Sequence, residues 1–184
     1  MRLMFASDIH GSEAWCRKLL EAYEQERAQK LFLLGDLLYH GPRNDLPDGY
    51  APKAVISLLN SVKDELLCVR GNCDTEVDQM VLDFPIMQES ALIFADGTEF
   101  LLSHGHHINP QNLSNVKKNT VLLNGHTHVP KYETVNGVYC LNCGSVAIPK
   151  ENSPRSYLIY DNGAFSWMNL ESGELFMAFD IRRV

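Results

Sequence analysis

Short runs of consecutive apolar residues alternate with segments of helical periodicity in the first half of the chain. Residues 31–34 form an apolar run without alternating polar positions, and this run ends directly in Gly35-Asp36. Such a pattern is typical of a strand that is buried on both faces in the interior of an α/β sheet. Similar runs occur at residues 3–7 and 66–69. Because helical patterns separate the three runs, their order predicts a parallel sheet.

Two helices are predicted between these strands. The first begins after Ser12, a residue type favoured at helix N-caps, and apolar residues then recur at helical spacing. The second begins at Pro52, which suits the first turn of a helix. A loop at residues 39–51, rich in turn residues and unusually long for a strand–helix connection, precedes the second helix.

The second half of the chain is patterned for β-hairpins instead of helices. Asp96-Gly97 separates predicted strands at residues 86–94 and 99–103, and such a pair between apolar runs is a strong hairpin signal. Two further hairpins are predicted at residues 132–141 and 157–168. A buried strand is predicted at residues 121–123 and a last strand at residues 175–179. We therefore predict a single domain over residues 1–184, in which two facing sheets are covered by helices.

The overall charge and composition narrow the classes of function. The net charge is −7 and basic residues occur only in small groups, which disfavours the extended basic footprint of a nucleic-acid-binding protein. The apolar N-terminal stretch is too short for a signal peptide, and no apolar run approaches transmembrane length. Five cysteines are an odd number, which argues against a complete disulfide framework. We expect a cytoplasmic protein without membrane contact, and assembly into a homo-oligomer is left open.

Metal-ligand residue types recur at the ends of the buried strands. Carboxylate, imidazole and amide oxygen are donors that suit Mn²⁺, Zn²⁺ or Fe. In extended backbone, alternate residues project to the same side, so two side chains separated by one residue can converge. A single histidine is more often a hydrogen-bonded or surface residue, but five such clusters beside glycines favour a metal centre. The clusters are Asp8-Ile9-His10, Gly35-Asp36, Gly71-Asn72-Cys73-Asp74, Ser103-His104-Gly105-His106 and Gly125-His126-Thr127-His128.

This series of blocks resembles the pattern of the calcineurin-like metallophosphoesterases, which is Asp-x-His, Gly-Asp, Gly-Asn-His-Asp, Gly-His and Gly-His-x-His. Four blocks are present in order, and the third has Cys73 in place of its histidine. The short chain and its Asn142-Cys143-Gly144-Ser145 segment are most similar to the small YfcE-type phosphodiesterase subgroup. The resemblance implies an α/β (α+β) fold, a four-layer αββα sandwich of two mixed sheets with helices outside. It further implies two divalent metal ions, the first held by Asp8, His10, Asp36 and His128, and the second by Asp36, Asn72, His104 and His126.

The implied chemistry is hydrolysis of a phosphodiester by a hydroxide that bridges the two metals. Two ions about 3.5–4 Å apart lower the pKa of a shared water and clamp the phosphate oxygens. Asp36 would bridge both ions, since a carboxylate has two oxygens. Manganese is the expected metal, with Zn²⁺, Fe and Ni²⁺ as alternatives. Besides Asp36 and Asn72, His106 could touch phosphate and Asp74 could orient a neighbour, although a structural role is equally open for both.

Cys73 is the departure from the block pattern. In relatives the histidine at this place is thought to protonate the leaving oxygen, and a cysteine with an ordinary pKa of about 8.5 could donate instead. A buried, inert thiol is the commoner fate of a cysteine. With no second Cys-x-x-Cys pair in the chain, a zinc or redox site is disfavoured at Cys140-x-x-Cys143. Structural roles are expected for the remaining residues without a partner in the sequence, His40, His107 and Cys16.

The pattern as a whole favours a metal-dependent phosphoric diester hydrolase acting on a small phosphodiester. A non-catalytic scaffold, such as the retromer subunit that shares this fold, is an alternative, but such relatives have replaced ligands whereas every ligand position is filled here. A phosphomonoesterase or nuclease is disfavoured by the missing histidine and by the lack of a basic groove. The loop at residues 39–51 is expected to overhang the site and select the non-reacting substituent, with a plain surface loop as the alternative.

Overall fold

The first of two mixed sheets combines a parallel half with an antiparallel half. The computed structural model describes residues 1–183. The strands of this sheet are β1 (Arg2–Ala6), β2 (Leu31–Leu33), β3 (Leu66–Cys68), β9 (Ser156–Asp161), β10 (Ala164–Asn169) and β11 (Leu175–Asp180). Their spatial order is β11-β10-β9-β1-β2-β3. The predicted parallel pairing is confirmed, since β1, β2 and β3 run parallel while β9 pairs antiparallel with β1.

The second sheet is built mainly from the hairpins of the second half. Its strands are β4 (Ser90–Ala95), β5 (Thr98–Ser103), β6 (Val121–Asn124), β7 (Lys131–Val135) and β8 (Val138–Asn142). Their spatial order is β4-β5-β6-β8-β7, in which β5, β6 and β8 run parallel and the two hairpins are antiparallel. Both Asp96 and Asn136 have positive φ angles, as the hairpin turns at Asp96-Gly97 and Asn136-Gly137 require.

Two helices cover the outside of the first sheet as predicted. Helix α1 spans Glu13–Glu26, and the side chain of Ser12 caps it by accepting a hydrogen bond from the Trp15 amide. Helix α2 spans Pro52–Ser61 and has proline at its first turn. Their buried faces join one core cluster with the outward-facing residues of β1 and β2. A four-residue helix α3 (Glu76–Gln79) and 3₁₀ turns at Lys63–Glu65 and Ile181–Arg183 complete the helical segments of the described residues.

A second core cluster fills the space between the two sheets. Phe5 and Phe32 of the first sheet stack with ring centroids 4.9 Å apart, and Phe5 also stacks on Phe100 of the second sheet at 6.3 Å. Leu123 and Trp167 are fully buried in the same cluster. The two sheets therefore face each other through an apolar layer, which confirms the predicted αββα class.

Two details differ from the sequence-based expectation. Strand β4 begins at Ser90 instead of residue 86, because the apolar side chain of Ile86 packs fully buried in the helix-side core of the first sheet. The outer face of the second sheet is covered by an irregular segment at residues 104–120, whose Ile108 and Leu113 pack on Leu122. The described residues contain no helix long and apolar enough to cross a membrane.

Candidate metal centre

The loops that follow five strands meet at one edge of the sandwich. Asp8 and His10 follow β1, Asp36 follows β2 and Asn72 follows β3 in the first sheet. In the second sheet, His104 follows β5, and the pair His126 and His128 follows β6. Because the strands within each of these groups are parallel, their carboxyl ends lie at the same edge. The structure thus brings together all seven of the predicted ligand side chains, four from one sheet and three from the other.

The backbone at these loops is held in conformations that non-glycine residues rarely adopt. Tight turns of this kind are commonly found where a functional site over-determines the local structure. The loops are locked to one another, since the His10 amide donates to the Asp36 carbonyl at 2.9 Å. Gly71 is required beside Asp36, because a Cβ atom at residue 71 would collide with the Asp36 carboxylate. Positive φ angles occur at Asp8 (61°), His10 (49°), Asp36 (56°), His126 (69°) and His128 (62°).

The first group of converging atoms consists of Asp8, His10 and His128. His10 Nδ1 lies 2.7 Å from the Tyr39 carbonyl and His128 Nδ1 lies 2.5 Å from the Ile148 carbonyl. A carbonyl can only accept, so each Nδ1 carries a proton and Nε2 is the nitrogen that faces Asp8. The two Nε2 atoms are 3.3 Å apart. Asp8 Oδ1 lies 3.5 Å from His10 Nε2 and 3.3 Å from His128 Nε2. Three potential ligand atoms therefore converge at one place, as in a cation site.

The second group consists of Asn72, His104 and His126. His104 Nδ1 donates to the Leu34 carbonyl at 2.7 Å, so Nε2 is the nitrogen that faces the site. This Nε2 lies 3.1 Å from Asn72 Oδ1 and 3.2 Å from His126 Nδ1. The carboxylate oxygen Asp36 Oδ2 approaches it at 3.5 Å. Amide, imidazole and carboxylate donors thus converge a second time.

Asp36 lies between the two groups. Its Oδ2 is 3.5 Å from His104 Nε2 and 3.8 Å from His10 Nε2, so one oxygen contacts both groups. Its other oxygen, Oδ1, accepts a hydrogen bond from the Cys73 amide at 2.8 Å, which fixes the orientation of the carboxylate. This position is the one required of a bridging ligand.

The donor set fits divalent cations on electrostatic grounds. Asp8 is fully buried, and among the described residues no group donates a hydrogen bond to its Oδ1. A buried anionic oxygen without a donor is costly unless a cation offsets it. Burial by itself lowers the pKa of His104, but the Asp36 and Asp8 carboxylates raise that pKa to about 9. Contacts with His10 and His128 likewise overcome the effect of burial and hold the pKa of Asp8 well below its usual range. The site therefore favours positive charge.

Asp74 and His106 lie outside the converging atoms. The Asp74 carboxylate accepts hydrogen bonds from the backbone amides of Asp36 at 2.9 Å, Leu37 at 2.9 Å and Gly71 at 2.7 Å. Asp74 thus ties the loop after β2 to the loop after β3. The His106 ring packs at 5.4 Å from the His104 ring, and burial followed by the charge on His104 lowers the His106 pKa to about 4. A neutral His106 is available beside the centre.

Cys73 is half-buried at the margin of the centre. Its sulfur lies within 4.8 Å of ligand atoms of His10 and Asp36. Burial, reinforced by the negative charge of Asp36, raises the pKa of the Cys73 thiol to about 12. The five cysteines are free thiols, and Cys140 and Cys143 belong to no group of three metal-binding side chains among residues 1–183.

The groups that orient the imidazoles were not foreseen from the sequence. The carbonyls of Tyr39, Leu34 and Ile148 each accept from an imidazole Nδ1, and partners of this kind fix the ring orientation in metal sites. Backbone carbonyls leave no residue-type signal. Ser145 could have been found from its place in the Asn142-Cys143-Gly144-Ser145 segment, because its hydroxyl donates to the Asp8 carbonyl at 3.0 Å and accepts from the Ile148 amide at 2.9 Å.

The chain belongs to the calcineurin-like phosphoesterase superfamily, whose domain it matches over residues 1–163. It is 48% identical over 166 residues to phosphodiesterase YfcE of Escherichia coli K12, with 90% of each chain covered. The solved structure of that E. coli phosphoesterase has a TM-score of 0.95 at 45% identity, covering 98% of this chain and 100% of the other. Wild-type Vps29 of Entamoeba histolytica complexed with Zn²⁺ has a TM-score of 0.60 at 18% identity, covering 98% and 99%, which is a likeness of fold alone. The predicted superfamily and its fold class are confirmed.

Proposed function

We propose that this protein is a metal-dependent phosphodiesterase that hydrolyses a small phosphodiester at a dinuclear centre. The observation that carries the proposal is the fully buried Asp8 Oδ1, which has no hydrogen-bond partner within residues 1–183 and lies 3.5 Å from His10 Nε2 and 3.3 Å from His128 Nε2. A structural ion pair or hydrogen-bond network would have satisfied this oxygen. Close similarity to phosphodiesterase YfcE supports the same activity for this chain.

The residues of the site have different roles in the proposed reaction. Asp8, His10 and His128 would hold one ion, Asn72, His104 and His126 would hold the other, and Asp36 would bridge them. When bound, two divalent cations supply Lewis acidity that activates water and stabilises charge on the phosphate oxygens. Neutral Asn72 adds a ligand without adding negative charge to an acidic cluster, and the neutral His106 can donate a hydrogen bond to a phosphate oxygen. Asp74 acts as a positioning residue through the backbone of Asp36.

Manganese is our proposal for the ions, with Zn²⁺, Fe and Ni²⁺ as the alternatives. The nitrogen and oxygen donors suit all four metals, and the seven proposed ligands include no thiolate. The net charge of −7 supports a small substrate in place of an extended nucleic acid.

The test is hydrolysis of bis(4-nitrophenyl) phosphate by protein that has been stripped with chelator and then given Mn²⁺, Zn²⁺, Fe²⁺ or Ni²⁺. We expect turnover to require added metal and to be greatest with Mn²⁺. The matched variant is Asp8→Asn, which keeps the shape of the side chain and removes its charge. Metal-independent hydrolysis, or full activity of Asp8→Asn, would contradict the proposal.

Two alternatives give different outcomes in the same assay. A scaffold would bind metal without hydrolysing any phosphodiester; the complete set of ligand side chains favours the enzyme. A phosphomonoesterase would cleave 4-nitrophenyl phosphate faster than the diester. Comparing the two substrates at equal metal concentration separates these activities.

A further inference from the structure

An open cavity of about 400 Å³ adjoins the metal centre on the side of Cys73. A cavity of this volume is large enough for part of a small-molecule ligand. The charged and hydroxyl groups of the lining come from Lys53, Thr75 and Asp78 and from the phenols of Tyr39 and Tyr50. Most of the wall is apolar carbon contributed by Leu38, Tyr39, Tyr50, Ile56, Val77 and Val81.

The cavity and the metal centre share residues. Cys73 lines the cavity, while its sulfur lies within 4.8 Å of ligand atoms of His10 and Asp36. Tyr39 also lines the cavity, and its carbonyl accepts the hydrogen bond from His10 Nδ1 at 2.7 Å. A phosphate group held at the centre would therefore have an apolar recess within reach of one of its ester oxygens.

The wall is built into the fold before any ligand arrives. Tyr50 forms a β-bridge with Ser12 and packs where Gly11 leaves room, since a Cβ at residue 11 would lie 2.6 Å from the tyrosine ring. The His40 ring stands edge-on to both Tyr39 and Tyr50, with centroids 4.8 Å and 5.4 Å away. These contacts place two aromatic rings beside the centre.

The opposite wall leaves apolar side chains in water. Val77 is 68% exposed and Val81 is 42% exposed, and both line the cavity. Covering this surface with an apolar group would remove it from water, which is favourable in proportion to the area covered. A nucleoside or sugar would find few hydrogen-bond partners on these walls, because most of the lining is carbon.

We propose that this cavity is the subsite for one ester substituent of the substrate, and that this substituent is apolar and of the size of a phenyl or short alkyl group. The inference rests on the proposed phosphodiesterase function, to which it adds the class of substrate. It also assigns Val77 and Val81 as residues that determine specificity without touching the reacting atoms.

The experiment measures binding of non-cleavable phosphonates to the Mn²⁺-loaded protein by isothermal titration calorimetry. Methyl-, butyl-, phenyl- and benzylphosphonate share one anionic head group and differ only in the apolar part. We expect affinity to rise along the series, by about tenfold or more from methyl to phenyl. Val77→Asp and Val81→Asp are each expected to reduce this gain to less than about threefold, because they place a charge where the ring would lie.

Met80→Asp is the matched control. Met80 is 83% exposed on the segment between Val77 and Val81 but does not line the cavity, so it receives the same charge outside the subsite. Its affinity gain from methyl to phenyl should equal that of the wild type. Should either aspartate variant fail to bind Mn²⁺, Val77→Thr and Val81→Thr keep the volume and should lower the gain in the same direction.

Two results would overturn the inference: equal affinity for all four phosphonates in the wild type, or an equal loss of gain in Met80→Asp. Because calorimetry requires no turnover, failure of the apolar-subsite proposal can be distinguished from failure of the proposed phosphodiesterase function. Metal-dependent diester hydrolysis with size-independent phosphonate binding would reject the apolar subsite alone. Absence of hydrolysis with size-dependent binding would reject the enzyme and retain the subsite.

Discussion

Asp36 is the carboxylate that connects the two halves of the metal centre, since its Oδ2 contacts both His10 and His104. Asp36→Asn keeps the shape of the side chain and removes the charge that offsets two dications. Changes to groups that only orient metal ligands typically cost about 10–100-fold, so loss of this ligand should lower kcat/KM by more than about 100-fold. The measurement is hydrolysis at limiting Mn²⁺, with metal stoichiometry determined in parallel.

The control for this change is Asp83→Asn, which removes a charge from a surface ion pair with Lys63. It should leave both stoichiometry and rate unaltered. Full activity of Asp36→Asn at limiting metal would overturn the dinuclear assignment.

We expect Cys73 to determine which leaving groups the proposed enzyme can expel. Its thiol pKa of about 12, a consequence of burial and then of the Asp36 charge, makes it a weak proton donor at neutral pH. Nitrophenolate departs without a proton, whereas an alkoxide needs a general acid, whose help is worth about 10²–10⁴-fold. Cys73→His should therefore give a gain that grows with the leaving-group pKa and is small for nitrophenol.

The assay uses diesters with leaving groups of increasing pKa. Cys73→Ser serves as the control, because it changes the side chain without supplying an acid of suitable pKa, and it should show no such trend. An equal effect of Cys73→His on every substrate, or a uniform loss, would mean that protonation is not decided at this residue.

The ligand side chains could be predicted from the sequence because each belongs to a short block at the end of an apolar run. Their partners could not be predicted in the same way. Tyr39 and Ile148 act through backbone carbonyls, which any residue type provides. The sequence is compatible with two roles for Asp74, and the folded loops show that its carboxylate accepts three backbone hydrogen bonds.

The loop at residues 39–51 begins beside the centre, where the Tyr39 carbonyl accepts from His10 Nδ1. Its residues line the apolar cavity through Tyr39 and Tyr50, and a separate cavity of about 420 Å³ through residues 43–48. Its end is anchored, because the Gly49 carbonyl accepts from the Glu13 amide at 2.8 Å and the Ala51 amide donates to the Gly11 carbonyl at 2.8 Å. The middle of the loop can therefore be changed while both ends stay in place.

Deleting residues 43–47 should alter the ranking of diester substrates by about tenfold while leaving Mn²⁺ affinity close to that of the wild type. The reason is that the deletion removes a cavity wall and keeps the Tyr39 carbonyl that orients His10. Substrate ranking from kcat/KM and metal affinity from calorimetry are measured on the same preparation. An unaltered ranking would identify the loop as a surface connection without a role in selection.

Elements whose apolar residues recur at a regular spacing could be predicted from the sequence, and irregular elements could not. Helix α1 was found because apolar residues recur on one face and Ser12 caps its start. Helix α3 has only four residues, too few to show a helical period. The irregular cover of the second sheet escaped prediction for a related reason, since Ile108 and Leu113 bury themselves without any regular spacing.

The two sheets meet at the metal centre as well as at their apolar interface. Asp8, His10, Asp36 and Asn72 come from loops of the first sheet, and the three remaining histidines come from loops of the second. Potential ligand atoms of both sheets lie 3.1–3.5 Å from each other at the centre. Cations bound there would be ligated from both sheets and would so join the sheets at their edge.

Metal binding should therefore raise the thermal stability of the folded chain. A ligand that binds only the folded state at 100 times its Kd stabilises by about 2.7 kcal/mol. For a domain of this size, each kcal/mol shifts Tm by about 2–4 °C, so Mn²⁺ should raise Tm by roughly 5–10 °C over protein in chelator. Differential scanning calorimetry measures this shift.

His10→Asn in the first sheet and His104→Asn in the second sheet should each reduce the Tm shift. His107→Asn should not reduce it, because His107 is exposed and belongs to neither ligand group. An undiminished shift in His10→Asn and His104→Asn would mean that the stabilising ions bind elsewhere.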